Sequence, residues 1–230
     1  MLGHKEDLQK EVDNIFSESW TTRDGTKVPE PKDLKLSNDA VKLDATILYA
    51  DLAASTQLVD KKKSHFAAEI YKTYLHCAAK IIRAENGVVT AYDGDRIMGV
   101  FIDDGRDDRA VRAAMKINHA RLKIINASIP KHYKDSTYAV GHAVGIDRSS
   151  LFIARTGVRG DNDLVWVGRS ANYAAKLAAL DASYTWITQD VYNKLSDQEK
   201  TTDGKSMWEA RTWTAMNSLR IFRSGWIRTP

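Results

Sequence analysis

The sequence predicts an α+β fold in which a mixed sheet packs with helices, and three observations carry that expectation. Short β-rich runs alternate with stretches at helical spacing. Two of those runs meet at Asp93-Gly94, a strong local signal for a tight hairpin and so for antiparallel pairing. Hairpins scattered among helices favour an α+β sandwich over a doubly wound parallel sheet.

The elements follow in chain order. Residues 4–17 (HKEDLQKEVDNIFS) place Leu8, Val12, Ile15 and Phe16 at helical spacing. Residues 21–40 are mostly polar and hold Pro29 and Pro31, which reads as an irregular lead-in. An N-terminal helix and lead-in over 1–40 ahead of a main domain over 41–230 is the expected organisation. Residues 43–50 (LDATILYA) give a strand ending at Asp51. A long helix is expected over 56–85 through Leu58, Phe66, Ile70, Tyr74 and Cys77, and Gly87 stops it. GVVTAYDGDRIMGVFID supplies the hairpin, and 107–126 returns to helical spacing through Ala110, Ala113, Ala114, Ile117, Ala120 and Ile124. TYAVGHAVGID and SLFIART read as two strands, RSANYAAKLAALD as a helix over 169–181, and YTWIT and MWEARTWT as short strands. An aromatic and basic segment through Phe222, Arg223 and Trp226 closes the chain.

Composition narrows the function classes. A chain of 230 residues buries a core without covalent staples, so its one cysteine, Cys77, has no disulfide to make and sits in an apolar periodic stretch. A disulfide framework and a cysteine-based zinc site are excluded, which suits a reducing cytoplasm. With 34 Lys+Arg against 30 Asp+Glu the formal charge is +4, and the basic residues are scattered, not gathered into a nucleic-acid stripe. The start lacks an apolar signal region, and no run approaches the roughly 18 apolar residues of a membrane span. A soluble, cytoplasmic protein with no nucleic-acid or membrane partner is expected.

Two pairs of residues carry candidate chemistry. Asp51 follows an apolar strand and Asp95 follows a hairpin turn; on neighbouring strands their carboxylates converge at one sheet edge, where a hard divalent cation offsets their repulsion. The same placement fits a helix cap at Asp51 and an exposed turn residue at Asp95. Asp93 competes as a ligand, although its position before Gly94 is explained by the turn, and the carbonyl of Leu52 is available to complete a metal shell. Asn172 and Lys176, four residues apart, share one helical face and offer a hydrogen bond and a positive charge to a phosphate. A solvated polar face is the plainer reading of that pair. Arg169 in the first turn is a further phosphate-binding candidate, with surface solvation as its alternative.

Taken together in order, ILYADLAASTQLV, GVVTAYDGDRIMGVF, AVGIDRSSLFIARTG and VGRSANYAAKLAAL resemble the class III nucleotidyl cyclase catalytic domain across about residues 43–182. The resemblance implies a ferredoxin-like α+β unit that forms a head-to-tail homodimer with shared active sites. It implies that Asp51, Leu52 and Asp95 hold two Mg²⁺ or Mn²⁺ ions per active site on one protomer, and that Asn172 and Lys176 come from the other. The implied reaction is attack of the ribose 3′-hydroxyl on the α-phosphorus, with release of pyrophosphate.

Three departures refine the resemblance. Ala91 stands where the purine cyclases of the family carry a base-reading lysine, Val165 stands at their second base-reading position, and Lys176 replaces their catalytic arginine. Ala and Val lack the hydrogen-bonding groups that read a purine at the base site. Together with the YAD form of the first motif, these changes resemble the bacterial Pycsar pyrimidine cyclases. That similarity implies UTP as substrate, cyclic UMP as product, a role in antiphage defence and a separate effector that the product acts on. Tyr49 is then the residue offered to the smaller base, by stacking and its hydroxyl, although a strand tyrosine is more often core. Cyclic CMP synthesis, a purine cyclase with new base contacts and an inactive nucleotide-binding module are the alternatives. The terminal FRSGWIRT offers aromatic and basic groups to nucleic acid, and packing or a dimer surface explains it more simply.

Overall fold

The computed structural model describes residues 3–230, and its contacts group into two compact units. One comprises the lead-in through Asp44 together with Ser150–Gly168; the other comprises Ala45–Ser149 and Arg169–Pro230.

In the first unit, helix α1 (His4–Ser17) starts at Gly3, whose N–H donates to the Glu6 carboxylate at 2.9 Å. At its far end the Asn38 side chain donates to the carbonyls of Ile15 and Glu18, both at 2.8 Å, so one buried amide satisfies groups left open where the helix stops. The apolar stripe expected on this helix is present and faces outward: Leu8, Val12, Ile15 and Phe16 are all exposed, Phe16 at 86%. Strand β1 (Thr21–Asp24) pairs in parallel with the start of β2 (Asp39–Ala53), so part of the expected irregular lead-in is strand. Its four residues are all exposed and carry no apolar alternation, which left periodicity nothing to register.

Two more strands of this unit belong to one hairpin. Strand β5 (Gly141–Val158) is a single strand where two were expected, and its second half pairs antiparallel with β6 (Asp161–Val167). The polar Arg148-Ser149 step that suggested a break carries side chains with partners off the sheet: Arg148 donates to Asp107 at 2.8 Å and Ser149 to Ser170 at 2.9 Å. Strand β6, not expected from the sequence, has too many polar residues among its apolar ones (DNDLVWV) to stand out.

The second unit is built on the larger part of the sheet. After β2 come α2 (Ser55–Lys61), α3 (Ser64–Ala84), β3 (Val88–Asp93), β4 (Arg96–Phe101), α4 (Arg106–His119), a π-helical segment (Ala120–Ile125) and α5 (Asn126–His132). After β5 come α6 (Arg169–Leu177), β7 (Thr185–Thr188), α7 (Gln189–Lys194), α8 (Asp197–Lys200), the small β8 (Thr201–Thr202) and β9 (Lys205–Ser206), β10 (Glu209–Trp213) and β11 (Leu219–Ser224). The sheet order is β10-β11-β7-β5-β2-β4-β3, with β5 and β7 parallel and the β2–β4, β3–β4, β7–β11 and β10–β11 pairs antiparallel. A mixed sheet with helices is the α+β architecture that the sequence predicts.

The expected helix over 56–85 is two helices. Lys62 (φ −120°, ψ 159°) and Lys63 (φ −63°, ψ 141°) are extended, which ends one helix and leads into the next. The helix expected to run to 181 stops at Leu177.

Each face of this sheet has its own core. On one face Leu48, Ala50 and Leu52 of β2 and Val144 and Ile146 of β5 meet Ile70, Tyr74 and Ile82 of α3 and the alanine-rich side of α4, all buried. Alternation along a strand sends Tyr49 and Asp51, and likewise Gly145 and Asp147, to the opposite face. There α6 covers a smaller cluster of Leu177, Trp186, Trp213 and Ile221.

Candidate active site

The register of three strands assembles the first half of the site. β2 pairs with β4 so that Asp51 lies opposite Arg96 and Tyr49 opposite Met98. β3 pairs with β4 so that Asp93 also lies opposite Arg96 and Ala91 opposite Met98, with a bulge between Val89 and Ala91 setting that phase. Two cross-strand rows result, Asp51–Arg96–Asp93 and Tyr49–Met98–Ala91, side by side on one face. Asp95 sits in the turn between β3 and β4, where Gly94 adopts φ +61°, and its carbonyl accepts from the Leu52 N–H at 3.4 Å. Asp51, Leu52, Asp95, Tyr49 and Ala91 are therefore at one edge of the sheet. Asp93, the competing ligand, is ion-paired to Arg96.

The electrostatics of this edge leave negative charge that a cation would offset. Burial, followed by the negative charge of Asp95, pushes the Asp51 carboxyl up to about 6, and the Arg96 guanidinium only partly offsets this. Among the described residues no group of three or more His, Cys, Asp or Glu side chains forms a metal cage. Two carboxylates beside a backbone carbonyl nonetheless fit Mg²⁺ or Mn²⁺, hard ions that keep open positions for water and substrate phosphate. Arg96 is the residue that motif reading missed. Its guanidinium lies 5.7 Å from the centre of the Tyr49 ring and beside Asp93, so it links the carboxylate row to the tyrosine row. The hairpin register around Asp93-Gly94 was the signal that could have found it.

Beneath this edge, on the α3 side, Tyr74 and His142 are fully buried, with the Tyr74 hydroxyl 3.0 Å from His142 Nδ1. Burial, helped by the Arg121 charge, lowers His142 to about 3, so the imidazole is neutral in the folded protein.

The remaining candidate residues include two on the exposed side of α6. Helix α6 packs against β5 and β7, strands on the other side of β2 from β4 and β3. Asn172 and Lys176 are on its exposed face, as their spacing predicts, and Lys176 Nζ is 3.7 Å from Met216 Sδ. Arg169 is differently engaged. It donates to Asp147 from Nε at 3.1 Å and from Nη2 at 3.2 Å, to the Arg148 carbonyl at 2.9 Å and to Asp190, and it lies over the Tyr173 ring. Val165 belongs to β6 of the first unit, opposite Ala154 of the same unit, and is 39% exposed.

Comparison with known proteins gives the class first. No family model matches the chain. The solved guanylyl cyclase Cya2 superposes with a TM-score of 0.69 over 82% of this chain and 95% of its own, at 16% identity. The fold is that of the class III nucleotidyl cyclase domain. Full-length relatives are closer: the chain is 53% identical to the uridylate cyclase of Xanthomonas perforans over 98% of both chains. It is 50% identical to the uridylate cyclase of Burkholderia cepacia over 96% of both. The chain is a nucleotidyl cyclase and belongs to the uridylate cyclase family.

Proposed function

We propose that the protein converts UTP to 3′,5′-cyclic UMP and pyrophosphate with two Mg²⁺ or Mn²⁺ ions, in an active site shared between the two copies of a homodimer. The observation that carries this reading is the register of β2, β4 and β3, which sets Asp51, with Asp95 in the adjoining turn, beside a tyrosine and a short alanine side chain. Kinship with two uridylate cyclases along nearly the whole chain supports the choice of base.

Asp51, Asp95 and the Leu52 carbonyl would hold the ions, which when bound offset the triphosphate charge and make the ribose 3′-hydroxyl more acidic. Tyr49 offers a ring face and a hydroxyl to uracil, and Ala91 leaves space where a purine-reading side chain would project. Asn172 of the second copy donates to the ribose. Lys176 of that copy stands by the α-phosphate as negative charge builds on it. The 3′-oxygen forms its bond to the α-phosphorus, the bond to the bridging oxygen breaks, the hydroxyl proton leaves to solvent, and pyrophosphate departs. Separation of α6 from the carboxylate edge by the order of strands favours a site completed by a second copy. The cyclic product would act on a separate effector in antiphage defence, as the family resemblance implies.

The test is direct. Equal UTP, CTP, ATP and GTP are each incubated with purified protein and Mn²⁺ or Mg²⁺, and the products are resolved by mass. Dominant cyclic UMP is expected. Dominant cyclic CMP or a purine product overturns the base assignment, and nucleotide binding with no cyclic product favours an inactive module.

A further inference from the structure

One face of β5 is a seat for α6, and three alternate residues make it. At Gly145 an added Cβ would lie 2.1 Å from the Ala174 carbonyl oxygen and 2.5 Å from the Ala178 nitrogen, so the helix backbone rests directly on the strand. Two residues on, Asp147 is completely buried and accepts from Arg169 Nε and Nη2 and, at 2.5 Å, from the Thr188 hydroxyl of β7. Two residues further, Ser149 accepts from the Ser170 N–H at 3.0 Å and pairs with its hydroxyl. The face of α6 that meets this seat carries Arg169, Ser170, Ala174 and Leu177; Asn172 and Lys176 lie on the face turned away.

From this geometry we infer that the buried Asp147 carboxylate, gripped by Arg169 and Thr188, fixes the rotation and height at which α6 presents Asn172 and Lys176, and that Arg169 is a positioning residue and not a phosphate ligand. The inference rests on the reading that Asn172 and Lys176 act on the nucleotide. Several features require it. Nε and Nη2 of Arg169 are directed at Asp147, Asp190 and the Arg148 carbonyl, so three of its five N–H donors are committed to the protein and only the Nη1 pair is left for an anion. Gly145 and Ser149 set the distance between helix and strand but constrain rotation weakly. The two-point grip of a planar guanidinium on a carboxylate supplies the missing angle. Because α6 is two and a half turns long, a rotation at Arg169 is carried to Lys176 within the same rigid segment.

The test compares wild type with D147N, R169Q, R169K, the D147N/R169Q double variant and K176A. For each, kcat and KM for UTP with Mn²⁺, inhibition by pyrophosphate and the thermal midpoint are measured. D147N and R169Q should each lower kcat on the order of 10- to 100-fold, with KM and pyrophosphate inhibition nearly unchanged. The double variant should be no worse than the poorer single one, because both break the same grip, and R169K should recover part of the loss. If D147N does not fold, R169Q carries the test, since the Arg169 side chain is 39% exposed. The inference is overturned if R169Q raises KM and weakens pyrophosphate inhibition while D147N behaves as wild type, which is the signature of a phosphate ligand. It is also overturned if the variants lose thermal stability but keep wild-type kcat. K176A separates the two levels: wild-type turnover in K176A removes the underlying reading of α6, whereas an impaired K176A beside fully active R169Q and D147N removes the positioning role alone.

Discussion

Replacing Asp51 by asparagine should stabilise the metal-free protein at neutral pH while abolishing its response to divalent metal. The Asp51 carboxyl, ordinarily at 3.8, is raised to about 6 by burial and by Asp95. The folded state therefore binds the proton more tightly than the unfolded chain. Between those two values stability falls as pH rises, and above 6 the cost of ionising Asp51 in place is borne in full. The rise from 3.8 to about 6 corresponds to about 3 kcal/mol as a ceiling, and solvent screening of a half-buried carboxylate reduces this to about 1–2 kcal/mol. D51N keeps the shape without the charge, so its metal-free thermal midpoint at pH 8 should lie about 2–8 °C above wild type, with no gain below pH 4. Added Mn²⁺ should raise the wild-type midpoint at pH 7.5, lose that effect as pH falls through 6, and do nothing for D51N. Melting curves at pH 4, 6 and 8, with chelator and with Mn²⁺, check all of this. A D51N protein that is folded but less stable than wild type at pH 8, or one that keeps the Mn²⁺ effect, would refute the reasoning.

K176A should lower kcat about 100- to 1000-fold, the scale of losing one charge-stabilising donor, with its melting curve unchanged because the side chain is exposed. Mixing inactive D51A with inactive K176A should restore about a quarter of wild-type activity, since half the dimers are mixed and each of those holds one intact site; no recovery despite verified subunit exchange would rule out a shared site. G145A should cost about 2 kcal/mol or more, read by chemical denaturation, because its Cβ meets backbone that has nowhere to move. His142, lowered to about 3 in the fold against 6.5 ordinarily, makes stability fall as pH drops between those values. H142Q should therefore flatten the acid limb by about one proton, roughly 1.4 kcal/mol per pH unit, and an unchanged slope would contradict a neutral buried imidazole.

Much of this arrangement is legible in the sequence because its signals are local. The Asp93-Gly94 turn, the apolar strand before Asp51 and the four-residue spacing of Asn172 and Lys176 each need only a few neighbouring residues to be read. What was hidden depends on pairing. Arg96 looks like an ordinary charged residue after a turn until register places it between two aspartates and against Tyr49. β6 and the join within β5 were obscured because polar residues that look like a break are satisfied by groups distant in sequence, such as Ser149 by Ser170. Arg169 is a phosphate-binding candidate from its place in the first turn of a helix, and the fold adds its ion pair with the buried Asp147, a partner distant in sequence. The stripe on α1 was read correctly as helical, yet periodicity says which residues share a side and nothing about which way that side turns.

The Arg96 guanidinium has a consequence for how the catalytic edge is kept ready. If Asp51 and Asp95 hold metal as proposed, an arginine planted among aspartates is a permanent understudy for it: its charge would hold like charges together before an ion binds, so the hairpin need not splay when cation is scarce. The same fixed charge competes with any ion that arrives, so the edge trades tight retention for readiness. On the proposed reading such a centre would fill most easily when an anionic triphosphate arrives with its own cation, tying loading to the supply of substrate.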